Sequence, residues 1–203
     1  DEMDIEALPH GTMVASVIVD NSPDFVKVSC FRIASDEGEY TVSVGAAGIL
    51  SAINAGVDVM NLSLGFRENS TLMEEAIIEA CNQGIHVVCA VGNMSMMAPG
   101  ILPASVKETI SVSSTNIVNI GSRFNTFTSD TDLSAPGEGI NVAAINNTYA
   151  VVNGTSFASP CVAALVAVIF YEHPDWTTYH IEKLLKFTSI DVDCYESYDT
   201  NYD

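Results

Sequence analysis

Three short stretches hold residue types that together could break an acyl bond. In NGTSFASP (153–160), Ser156 follows a glycine and opens a helix-forming run, where a hydroxyl is accessible and the helix N-terminus favours developing negative charge. In AVGN (90–93), Asn93 closes an apolar run with an amide that can donate to an oxyanion. In PHGT (9–12), His10 opens a second small-residue helix and carries the imidazole that a hydroxyl nucleophile needs as its base. Serine attacks a carbonyl when a base takes its proton and donors hold the oxyanion, so the three types are chemically complementary. Each also has a plainer use: Thr155 and Ser156 as a helix cap, Asn93 as a turn residue, His10 as a capping or core histidine. His86, His173 and His180 stand in no such context, and Cys161 suits a small core position on the helix that Ser156 opens.

The elements that must position these residues follow from periodicity. Residues 25–33, FVKVSCFRI, read as a strand; 42–56 as a helix; 57–65, VDVMNLSLG, as a strand; 71–84 as a helix; 85–93, IHVVCAVGN, as a strand. TISVSST (109–115) and DLSAPG (132–137) supply shorter strands. Residues 149–174 then read as a strand, a glycine turn and a long apolar core helix that stops before Pro174, and residues 177–188 as an amphipathic helix. Strands alternating with helices predict an α/β fold with a parallel sheet flanked by helices, whose reactive groups collect at the carboxyl ends of the strands. One catalytic domain is expected over residues 1–188, followed by an acidic tail at 189–203.

Composition narrows the partners. Seven Lys and Arg against 26 Asp and Glu give a formal charge of −19, which argues against nucleic acid and anionic membrane surfaces. The apolar stretch 161–170 is shorter than the roughly 20 residues that cross a bilayer, so no membrane contact is expected. Five cysteines without a CxxC pair read as reduced thiols and favour a cytoplasmic setting. No cofactor is evident, and the acidic residues show no calcium-loop spacing.

PHGTMVAS, NLSLG, AVGN, LPAS and NGTSFASPCVAAL, in this order, resemble the successive blocks of the subtilisin-like serine proteases, the subtilases. The resemblance runs from Pro9 to about Thr188. It implies peptide-bond hydrolysis, with Ser156 as nucleophile, His10 as base, and Asn93 with the Ser156 N–H as oxyanion donors. It implies a substrate-pairing edge at Ser63, Leu64 and Gly65, faced across the specificity pocket by Ala90, Val91 and Gly92. Met94, Met96, Met97 and Ile101 fall where the family walls that pocket, which favours an apolar residue of limited size before the scissile bond. Pro103 matches a proline that is often cis, and calcium is implied by the resemblance alone. Met13, Ser16 and Phe157 depart from the family's frequent His, Gly and Met, and Phe157 is expected to crowd the leaving-group side.

One block of the resemblance has no counterpart. Subtilases order their triad Asp, His, Ser, and the aspartate ends a strand near the middle of the sheet, well before the histidine. The sequence starts at Asp1, nine residues before His10. The acid is therefore expected from an N-terminal segment outside these residues, from a second chain, or from Asp1, Glu2, Asp4 or Glu6 curling back, the last disfavoured because an acidic run at a chain end is usually solvated. A peptide-binding pseudoprotease is the alternative. An α/β-hydrolase elbow fits poorly: Gly154-Thr155-Ser156-Phe157-Ala158 lacks the second glycine, and PHGT and AVGN would then have no purpose.

Overall fold

β2 (His86–Ala90) and β3 (Ile110–Thr115) are buried at every residue, the pattern of strands covered by helices on both faces. They form the middle of a four-stranded parallel sheet of order β1-β2-β3-β4, with β1 at Val59–Leu62 and β4 at Leu133–Pro136. The computed structural model describes residues 9–35 and 38–192; Asp1, Glu2, Asp4, Glu6, Cys194 and most of the expected acidic tail lie outside the described residues.

Strand alternation divides the core. Val87 and Cys89 face α2 (Val42–Asn54) and α3 (Thr71–Asn82), packing with Ile49, Met73 and Ile77. Val88 points the other way and packs with Ile110, Val112, Val162, Val166 and Ile181 under α4 (Thr155–Glu172) and α5 (Thr178–Thr188). Among the described residues, α4 alone is long and apolar enough to span a membrane. In the fold it contacts all four strands of the sheet, and half of it is buried.

A third apolar cluster docks the helix that carries His10. α1 (His10–Asp20) buries Met13, Val14 and Val17 against Phe157 of α4 and Val142 of β5 (Ile140–Ala143), which forms an antiparallel hairpin with β6 (Tyr149–Val152). Ser16 fastens the contact: its hydroxyl donates to the Met13 carbonyl at 2.8 Å and accepts the Ala143 N–H at 3.0 Å.

Residues 25–33 differ from expectation. They have the alternating apolar pattern of a strand, yet form no sheet ladder among the described residues. The segment is held at its ends, where Phe25 stacks on Tyr171 with ring centroids 4.1 Å apart and Ile33 lies against Gly48 of α2. Among the described residues β1, at one end of the sheet order, pairs only with β2. A strand is defined by its backbone partners, and among the described residues this segment has none.

Candidate active site

The local structure around Ser156 begins with a missing donor. Pro160 sits inside α4 and has no N–H to give the carbonyl four residues earlier, which is that of Ser156. Ser63, just past the end of β1, supplies the bond instead: its hydroxyl donates to the Ser156 carbonyl at 2.7 Å. Asn61 completes the arrangement by donating to Ser63 Oγ at 3.0 Å and accepting the Ser159 hydroxyl at 2.6 Å. A buried polar cluster satisfied in this way holds the first turn of α4 on the sheet.

The N-terminus of α4 is capped from outside. Gly154 precedes it at φ +155°, ψ 151°, a conformation that suits only glycine, and its N–H donates to the Gly137 carbonyl at 2.8 Å. Asn93, at the end of β2, accepts both the Thr155 N–H and the Thr155 hydroxyl on Oδ1, each at 3.0 Å. Because Oδ1 must face these donors, the Asn93 NH2 turns to the other side with its hydrogens unspent. Thr155 Oγ1 also accepts the Gly92 N–H at 3.2 Å, so one fully buried threonine joins the carboxyl end of β2 to the turn that bears Ser156.

His10 reaches the same place from α1. Its ring lies tilted against the Phe157 ring, with centroids 5.8 Å apart, and Phe157 adjoins Ser156. Phe157 is buried against Met13, Val14 and Val17 of α1. His10 keeps an exposed edge, while the protein packed around it lowers its pKa through desolvation. Among the described residues no carboxylate bonds to this ring.

The nine residues singled out in the sequence lie around the carboxyl ends of β1 and β2 and the starts of α1 and α4, in different capacities. Ser156 is half-exposed and Asn93 exposed. Ser63 spends its hydroxyl on α4, and Ser63, Leu64 and Gly65 follow β1 outside any ladder among the described residues. Ala90 and Val91 bury their side chains, and the Val91 N–H donates to the Val112 carbonyl at 3.1 Å. Gly92 adopts φ +94°. The Leu102–Pro103 peptide is cis. Among the described residues there is no group of three or more His, Cys, Asp or Glu that could hold a metal ion.

The profile of the Subtilase family, Peptidase_S8, matches residues 4–201. This chain belongs to the subtilase family. Alkaline elastase YaB of Bacillus sp. (strain YaB) is 32% identical over 191 residues, covering 90% of this subtilase and 50% of the elastase. Subtilisin of Bacillus pumilus is 33% identical over 192 residues, covering 89% of this chain and 70% of that protein. The crystal structure of a cold adapted subtilisin-like serine proteinase superposes with a TM-score of 0.84 at 29% identity, covering 92% of this chain and 70% of that one. The subtilase spans about half the length of several curated relatives it matches.

Proposed function

We propose that the complete protein is a serine endopeptidase working through an acyl-enzyme. Ser156 Oγ attacks the scissile carbonyl while His10 takes its proton. The oxyanion accepts hydrogen bonds from Asn93 Nδ2 and the Ser156 N–H. As the C–N bond breaks, His10 returns the proton to the leaving amine, and water activated by His10 then releases the acyl group. The peptide substrate lies along Ser63, Leu64 and Gly65 as an added strand, facing Ala90, Val91 and Gly92. The observation that carries this reading is the pair of hydrogen bonds from Thr155 to Asn93 Oδ1, which ties the Asn93 amide to the residue that precedes the nucleophile. Hydrolysis of a casein substrate by the native protein, lost in Ser156→Ala, is the expected result; equal hydrolysis by both forms would contradict it.

The triad acid is proposed to come from outside the described residues, on a strand contributed by an N-terminal segment or a partner chain. Two features support this among the described residues: β1 pairs with β2 alone, and the strand-patterned residues 25–33 join no ladder. In subtilisin itself, loss of the acid alone costs about 3 × 10⁴ in kcat. Substituting Asp1, Glu2, Asp4 and Glu6 together by their amides is expected to leave activity unchanged, and its loss would make them the source.

The absence of a carboxylate beside His10 among the described residues also favours a second reading, a subtilase-like pseudoprotease that binds peptides without cutting them. Peptide binding with no hydrolysis in the complete assembly would establish it. A reducing, cytoplasmic setting is proposed on the free thiols of Cys30, Cys81, Cys89 and Cys161. Redox-sensitive fusion reporters in cells test it.

A further inference from the structure

His10 stands in the least secured turn of α1. Among the described residues no side chain caps that turn and no acid lies in it, and Gly11, a poor helix former, follows at once. The place of the imidazole is therefore set by how the rest of α1 docks. Met13, Val14 and Val17 bury apolar surface against Val142 and Phe157, an attraction with no direction of its own.

Ser16 adds a direction. Half-buried on α1, it donates its hydroxyl to the Met13 carbonyl at 2.8 Å, which fixes its rotamer, and its oxygen then accepts the Ala143 N–H at 3.0 Å. That N–H lies on the outer edge of β5. The Ala144 N–H bonds to the Thr148 carbonyl across the hairpin at 2.9 Å, and in an antiparallel pair successive amides point to opposite sides. Ser16 thus takes a donor that the hairpin itself leaves unspent.

The same hairpin leads to the nucleophile. Ile140 of β5 pairs with Val152 of β6, four residues before Ser156. Past that pair the Gly139 N–H donates to Asn153 Oδ1 at 2.7 Å and the Gly154 N–H to the Gly137 carbonyl at 2.8 Å. Hydrogen bonds therefore run from Ser16 through β5 and β6 to the turn that bears Ser156, while His10 sits six residues before Ser16 on the same helix. If the site cleaves peptides as proposed above, this line relates base to nucleophile. We propose that Ser16 is a positioning residue for His10: its bond to the edge of β5 sets the register of α1 on the hairpin, and with it the approach of the imidazole to the Ser156 hydroxyl. A displacement of about 1 Å at a reacting group costs up to about 10²-fold in rate.

Steady-state kinetics of the complete protein on one peptide substrate compare Ser16→Ala and Ser16→Thr with the native form. Ser16→Ala is expected to lower kcat about tenfold or more, with KM changed less than about twofold. Ser16→Thr keeps a hydroxyl that bonds back along the helix and is expected to hold kcat within about threefold of native. Native kcat in a folded Ser16→Ala, or an equal loss in both variants, overturns the proposal. Should Ser16→Ala not fold, Ser16→Val, which matches threonine in shape, replaces it; if neither folds, Ser16 serves folding and the proposal fails. The imidazole NMR signals of His10, recorded without substrate, separate this role from proteolysis. With no turnover by any form, signals shifted in Ser16→Ala and restored in Ser16→Thr sustain the positioning role and defeat proteolysis, and unchanged signals defeat both.

Discussion

Ser63 donates its hydroxyl to the main-chain carbonyl of Ser156 at 2.7 Å, making the bond that Pro160 withholds. Ser63→Ala removes the donor and leaves that carbonyl unpaired in a partly buried setting, at a cost of about 1–3 kcal/mol. The measurement is urea unfolding, and a loss below about 0.5 kcal/mol would show that water replaces Ser63.

On the proposed mechanism Asn93→Leu should lower kcat about 10² to 10³-fold with little change in KM, the magnitude known for the equivalent loss in subtilisin itself. It also removes the acceptor of the buried Thr155 N–H and O–H, while Thr155 Oγ1 still accepts the Gly92 N–H. Asn93→Asp keeps the acceptor for Thr155 while removing the donors, so stability near the native value with at least as large a loss of kcat is expected. Steady-state kinetics beside thermal melts check the pair, and retained kcat in the aspartate variant would remove Asn93 from the oxyanion site.

His86, at the opposite end of β2 from Asn93, links protonation to folding. It is 1% exposed, its Nδ1 shares a hydrogen bond with Thr178 Oγ1 at 2.9 Å, and its Nε2 is buried with no hydrogen-bond partner among the described residues. Burial lowers its pKa, opposed more weakly by the charge of Asp58. A histidine with a lowered folded pKa contributes stability fully above its unfolded value near 6.5. That contribution is lost as pH falls below 6.5 and through the folded pKa, because the unfolded chain binds the proton first. Melting temperature should therefore decline below about pH 6.5 more steeply in the native protein than in His86→Phe. Identical slopes would exclude His86.

Residues 25–33 carry the pattern of a strand and no ladder, so their amides should exchange with deuterium far faster than those of β2 and β3. Binding of an acid-bearing strand beside β1 should protect them. Mass-resolved exchange on the chain with and without its acid-bearing partner checks this, and protection already present without it would argue against the open edge.

The strands and helices of the sheet were legible because each is a continuous apolar or periodic run bounded by glycine or proline, as β2 is by Gly84 and Gly92. The order of blocks likewise marked His10, Asn93 and Ser156. What stayed hidden depends on distant partners. Thr155 looked like a helix cap, whereas its decisive bond goes to Asn93, 62 residues earlier. Phe157 looked like an obstacle to the leaving group and turned inward, because α1 offers Met13, Val14 and Val17 to cover it. The hairpin strand β5 has four residues and too short a period to register, and its turn relies on Asn146 and Asn147 both adopting positive φ. Residues 25–33 had the right pattern, but pattern alone cannot supply a neighbour.

The most direct measurement is intact mass after treatment with a fluorophosphonate probe, on the chain alone and on the chain with any sequence its gene encodes ahead of Asp1 or with a co-purifying partner. One covalent adduct mapped to Ser156, absent in Ser156→Ala and His10→Ala and formed far faster once the acid is supplied, is the expected result. A folded assembly that includes the acid and still leaves Ser156 unlabelled would contradict the serine-protease reading.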